Sequence, residues 1–161
     1  MTSSLKDHVQ KLLEEHRGER VFRFEYLGKH YWLKQPEQLK GIWLLLKPHP
    51  KQHFKEECEI LQHLNNIGAP VPKLCGFGDD YLVLEDAGPT LNIWLNDETL
   101  SWAEKSHILH SAMEILISLH QQGIFHGRPA IRDIAWRDGQ ISFMDFESHS
   151  KSHNEHWLIT R

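Results

Sequence analysis

Apolar residues along the chain follow first a helical rhythm and then an alternating one. Leu5, Val9, Leu12 and Leu13 recur at i, i+4, i+7 and i+8 behind Ser4, which predicts an amphipathic helix that stops near Gly18. Over 21–35 the period drops to two. Phe22, Phe24 and Tyr26, then Tyr31 and Leu33, alternate with polar residues on either side of Leu27-Gly28-Lys29, the pattern of a β-hairpin. The run Ile42-Trp43-Leu44-Leu45-Leu46 is too short for periodicity to separate a buried strand from a helical turn. After Pro50, Phe54, Cys58, Leu61 and Leu64 share one helical face, Gly68 supplies a stop, and Ala69-Pro70-Val71-Pro72 cannot continue a helix. Two short strands follow, over 73–77 and 81–85, joined by the turn sequence Gly78-Asp79-Asp80.

The second half is built differently. Residues 86–96 read as a linker with room for a short helix. Ser101 and Glu104 then form a capping box that opens the longest helix in the chain, with Ile108, Leu109, Ala112, Met113, Leu116 and Leu119 as an apolar stripe expected in the core and Gly123 as its end. Strands are expected over 131–136 and 140–144 around the turn Asp138-Gly139, and residues 148–156 lack periodicity. There is no internal repeat. The order of elements predicts an α+β protein with a small sheet and packed helix in residues 1–85 and a helix-led second part in 86–161.

Composition narrows the classes. With 161 residues, 40% hydrophobic and 25% charged, the chain is sized for one domain or one small two-lobed domain. A net charge of −4 and a pI near 6.3 give no broad basic surface for nucleic acid. Cys58 and Cys75 make neither a disulfide framework nor a zinc spacing, and read as reduced, buried thiols. The polar start and the absence of a long apolar run argue for a cytoplasmic protein without a transmembrane segment. Three tail histidines, His149, His153 and His156, have roughly metal-like spacing but are not read as a metal set.

The chemistry-bearing segments come in a particular order. Tyr31-Trp32-Leu33-Lys34 sets a lysine at the end of an apolar strand. Phe54-Lys55-Glu56-Glu57-Cys58-Glu59 carries three acids on a helix, and Tyr81-Leu82-Val83-Leu84-Glu85-Asp86-Ala87-Gly88 runs from a strand into a linker. The long helix ends in Leu119-His120-Gln121-Gln122-Gly123-Ile124-Phe125-His126-Gly127-Arg128-Pro129-Ala130-Ile131-Arg132-Asp133-Ile134, and Ile141-Ser142-Phe143-Met144-Asp145-Phe146-Glu147 comes after it.

Over about residues 22–147 this order resembles the protein-kinase-like superfamily, specifically its small members: the lipopolysaccharide-core kinases, the Rio kinases and the kinase subunit of the KEOPS complex. The resemblance implies a two-lobed kinase-like fold with a reduced C-lobe, and ATP and Mg²⁺ as cofactors. Lys34 would then pair the phosphates, with Lys47 as the rival. Glu57 would hold that lysine, with Glu56 and Glu59 as rivals, Glu59 the weaker because it leaves the Phe54–Leu61 face. The backbone C=O of Glu85 and N–H of Ala87 would pair with adenine. Asp145 would bind metal on the β- and γ-phosphates, His126 would be structural in the catalytic loop, and Asp133 stands where the family has its second metal ligand, an Asn.

Departures from the family pattern shape the functional expectation. Arg128 occupies the position of the aspartate that accepts the substrate hydroxyl proton, no glycine-rich loop precedes the hairpin, and the chain ends 14 residues after Glu147, where the family continues with further helices, so the C-lobe is either minimal or truncated. A positioned base contributes roughly 10²- to 10⁴-fold to rate. The sequence therefore carries two readings: an ATP- and Mg²⁺-dependent phosphotransferase with an unidentified protein or glycan acceptor, and a nucleotide- or protein-binding pseudokinase that transfers nothing.

Overall fold

The structure, a computed structural model, describes residues 3–38 and 49–146. The apolar run 42–46, Lys47, Glu147 and the three tail histidines lie outside the described residues. The architecture is mixed α+β, and the chain divides into two compact units, Met1–Gln62 with Lys73–Asp86 and His63–Pro72 with Ala87–Arg161.

In the first unit, α1 (Ser3–Glu15) precedes the hairpin of β1 (Val21–Tyr26) and β2 (Lys29–Lys34), and α2 (Pro50–Asn66, its last residues counted with the second unit) precedes β3 (Leu74–Phe77) and β4 (Leu82–Glu85). The four strands form one antiparallel sheet in the order β1-β2-β4-β3. The hairpin turn is the pair Leu27-Gly28, with φ of +50° and +74°. Two left-handed residues match the twist of the flanking strands, which is why a two-residue loop closes here.

Alternation along the strands distributes their side chains to two cores. Phe24, Leu33 and Val83 are buried against Leu5, Val9 and Leu12 of α1. Leu82 of β4 packs on the other side with Phe54, Cys58 and Leu61 of α2. Burying each such side chain contributes roughly 1.5–3 kcal/mol, so both helical faces legible in the sequence are used. The predicted strands 73–77 and 81–85 form one residue shorter at their starts. Burial pushes the thiols of both Cys58 and Cys75 upward, yet Cys75 is only half-buried, unlike the expectation for it.

The second unit contains α3 (Leu91–Asn96), α4 (Trp102–Gln121), a 3₁₀ turn (Ile131–Asp133) and the hairpin of β5 (Ile134–Arg137) and β6 (Gln140–Phe143). The strand expected over 131–136 begins three residues later, because the Asp133 N–H turns back to the Ala130 carbonyl at 2.8 Å. Phe143 is fully buried and its N–H donates to the Pro70 carbonyl at 2.7 Å, tying β6 to the proline-rich segment. Trp94 of α3 donates its indole N–H to the carbonyls of Trp136 (2.9 Å) and Pro89 (3.1 Å), and its ring meets Trp136 edge-on at 5.1 Å.

Helix α4 begins with the expected capping box: the Glu104 N–H donates to Ser101 Oγ, and the Glu104 carboxylate accepts from the Ser101 N–H at 2.7 Å. Its stripe is only partly in the core. Ile108, Ala112 and Leu119 are buried, Leu109 and Leu116 are half-buried, and Met113, expected inside, is 60% exposed. Periodicity identifies apolar faces but does not say how many of them find a partner.

The Ser101 hydroxyl and then the Ser101 backbone N–H hold the Glu104 carboxyl below its ordinary value, as the Thr99 hydroxyl and N–H do for Asp97. A depressed folded-state pKa gives stability that is present above the unfolded value and lost as pH falls through the folded one. Stability should therefore drop as pH is lowered below about 4, the ordinary carboxylate range. Urea titrations at a series of pH values should show a shallower acid limb in Glu104→Gln than in the wild type.

Candidate functional site

In the first unit, Lys34 closes β2. Tyr31 and Leu33 turn toward α1, so Trp32 and Lys34 fall on the α2 side of the pleat. There the Lys34 ammonium forms an ion pair and hydrogen bond with the Glu57 carboxylate, from a residue 23 positions away on α2. With 16% of the Lys34 side chain exposed, the partner offsets a real desolvation cost. The two rival acids go elsewhere: Glu56 accepts from Gln52 at 3.1 Å, and Glu59, 57% exposed, meets Lys55 at 4.0 Å. The rival Lys47 lies outside the described residues.

Strand β4 lies beside β2, with Lys34 opposite Leu82 and Tyr31 opposite Glu85. At its end, the Glu85 N–H donates to the Lys73 carbonyl at 2.9 Å and the Asp86 N–H to the His30 carbonyl at 3.0 Å, while the Glu85 carboxylate meets Lys29 at 3.6 Å. Arg23 of β1 grips Asp86 through Nε and a terminal nitrogen, at 3.1 and 2.7 Å, and the Asp86 side chain is 8% exposed. This clamp has no signature in sequence: an arginine in a strand and an aspartate 63 residues later carry no diagnostic spacing. Ala87, half-buried, opens the second unit's part of the linker.

In the second unit, His126 is the buried polar side chain, 1% exposed. Its Nε2 lies 2.5 Å from the Met144 carbonyl, and since a carbonyl only accepts, Nε2 carries the hydrogen. Nδ1 is buried with no partner among the described residues, which costs about 1–3 kcal/mol. The ring packs between Phe143 (5.8 Å) and Phe146 (4.6 Å). Asp133, half-buried, accepts the Met144 N–H on its carbonyl at 2.7 Å. Met144 is therefore held from both sides, by the His126 ring and by the Asp133 backbone, and Asp145 follows it with a φ of +55°, exposed. Aspartate tolerates the left-handed region better than most residues, and such backbone is concentrated at functional positions. Arg128 is exposed, one residue after Gly127 at φ +93°. Among the described residues no group of three His, Cys, Asp or Glu is arranged to hold a metal ion.

The structure thus joins Lys34 with Glu57, and His126, Asp133 and the residue before Asp145 with one another. The described residues contain no helix long and apolar enough to cross a membrane. No protein-family model matches the chain. An uncharacterized protein of Haemophilus influenzae is similar, 47% identical over 161 residues, which is all of this chain and 66% of that protein. The chain spans just under two thirds of that relative's length.

Two substitutions probe these arrangements. Lys34→Met and Glu57→Gln should each cost about 1 kcal/mol, and the double variant little more than either, because both remove one interaction; a urea double-mutant cycle measures the coupling. At Gly88, φ is +101°, and an added Cβ would lie 2.8 Å from Arg137 Cβ and 3.1 Å from the Trp136 carbonyl. Gly88→Ala should lower stability by about 2 kcal/mol or more, read as a fall in melting temperature.

Proposed function

We propose that the chain is the nucleotide-handling part of a protein-kinase-like phosphotransferase, acting with ATP and Mg²⁺ in the cytoplasm on an acceptor yet to be identified. The observation that carries this is the Lys34–Glu57 pair, in which a half-buried strand-end lysine finds the one helix acid of three that the motif order selects. Such a pair presents an oriented ammonium to the α- and β-phosphates. The donor chemistry of Asp145 and Asp133 suits a hard cation. Two carboxylates would suit Mg²⁺, which keeps several waters and completes its shell with phosphate oxygens. Mg²⁺ would supply charge neutralisation on the transferring phosphoryl group. His126 and Met144 position Asp145, while the Glu85 carbonyl and Ala87 N–H would serve the adenine.

Arg128 favours a second reading, a pseudokinase that binds nucleotide without transfer. A guanidinium cannot take a proton from an acceptor hydroxyl at physiological pH. For transfer to occur, Asp133 or another carboxylate would have to take the part of the missing base.

Saturating MgATP, at about 100 times Kd, should stabilise the folded chain by about 2.7 kcal/mol and raise its melting temperature by roughly 5–10 °C, and Lys34→Met and Asp145→Asn should each remove most of that shift. No shift in the wild type at millimolar MgATP sinks both readings. Wild-type ATP turnover that disappears in Asp145→Asn supports the phosphotransferase; binding without turnover, with turnover appearing in Arg128→Asp, supports the pseudokinase.

A further inference from the structure

The second unit holds a pocket of about 340 Å³ lined from α3, the first turns of α4 and β5. Small-molecule sites begin at roughly 300 Å³, so the volume is sufficient for one small ligand. Trp94 and Trp136 line it, and Leu100, Ala103 and Ile108 complete its apolar wall. The two indoles stand at 89° to one another with centroids 5.1 Å apart. In such a pair the edge of one ring stands over the face of the other, so the corner beside them is bounded by two π faces at right angles. Both rings are fixed by the backbone around them. The Trp94 indole N–H is shared between the carbonyls of Trp136 and Pro89, and the Trp136 backbone N–H donates to the same Pro89 carbonyl at 3.0 Å. Aromatic walls that are already ordered spare a ligand the entropy of ordering them.

The charge of the pocket selects the sign of its ligand. Among the described residues no lysine or arginine lines it, and its titratable members are Glu104 and His107. The Glu104 carboxylate is held in place, one oxygen accepting from both the N–H and the hydroxyl of Ser101 at 2.7 Å. Asp97 lies near enough to act electrostatically on Glu104, as Lys105 does on Asp97. A fixed negative charge therefore stands beside two π faces, and both attract a cation. The hydrogen bonds on offer narrow the kind of cation. A primary ammonium or a guanidinium brings several N–H donors, and burying them against indoles and aliphatic side chains without acceptors is costly. A fully alkylated ammonium has no N–H to satisfy, lays methyl groups on the apolar wall and keeps the charge that the indole faces attract.

We propose that the Trp94–Trp136 pocket binds a small molecule through a trimethylammonium group, with the two indole faces and the Glu104 carboxylate as its recognition elements. The site lies wholly within the second unit and is independent of the nucleotide reading.

Titration with tetramethylammonium chloride tests it, with tert-butanol as an uncharged ligand of similar size and sodium chloride as the ionic control. The indole N–H resonances of the isotope-labelled 161-residue chain, assigned in the wild type, are followed by NMR. Tetramethylammonium should move the Trp94 and Trp136 resonances saturably, sodium chloride should leave them in place, and tert-butanol should bind at least about fivefold more weakly. Glu104→Gln keeps the helix cap, because glutamine serves at that position of a capping box. It should weaken tetramethylammonium roughly threefold and leave tert-butanol unchanged. No saturable shift in the wild type would overturn the proposal. So would tert-butanol binding as tightly as the cation, which would assign the pocket to an uncharged apolar ligand, and so would an equal loss of both ligands in Glu104→Gln. The wild-type comparison stands whether or not that variant folds. Trimethyllysine flanked by glycines is the last arm: it should bind as tetramethylammonium does, and binding about tenfold tighter would overturn the small-molecule assignment in favour of a methylated protein.

Discussion

The pleat of β2 is the constraint on which the first unit depends. Held between β1 and β4, the strand must send Tyr31 and Leu33 to the core beneath α1, which forces Trp32 and Lys34 to the opposite side, where α2 lies. A slip of one residue would bury the lysine under α1 and move Tyr31 and Leu33 to the α2 side, so the hydrophobic pattern that folds the sheet also fixes the charge. The Lys34–Glu57 pair is a consequence of that register, and it in turn fastens α2 to the strand it crosses.

The second unit has a comparable centre in the His126 ring. One imidazole nitrogen reaches the Met144 carbonyl, the ring fills the space between two phenylalanines, and the backbone of Asp133 takes the Met144 N–H. A short segment with no regular hydrogen-bond ladder of its own is thereby given one conformation, and the left-handed backbone at Asp145 persists because its neighbour is held on both sides. Burial of a ring nitrogen that has no partner among the described residues is the cost of that arrangement.

Much of this was legible in the sequence, and the reasons are local. The α+β element order, the 3.6-residue stripes of α1 and α2, the capping box at Ser101 and the Asp138-Gly139 turn each have a short-range chemical signal. The choice of Glu57 over Glu56 and Glu59 was legible only as a preference among three acids, since it depends on how α2 is rotated against β2. The Arg23–Asp86 clamp, the double use of the Trp94 indole and the 3₁₀ turn at Ile131–Asp133 were not legible, because they are set by tertiary placement and carry no periodicity. The burial of α4 was overestimated for a related reason: an apolar residue such as Met113 states a preference for burial, and only a neighbour can satisfy it.

That exposed methionine also places a sulfur in solvent whose oxidation does not depend on ionisation. Burial raises the pKa of both cysteines, which keeps their thiolate fraction low and makes them slow toward oxidants. The thioether of Met113 needs no ionisation and stands in solvent. Peroxide that oxidised it would leave a sulfoxide, a polar, chiral group between Leu109 and Ile117, its neighbours one turn away on the helix.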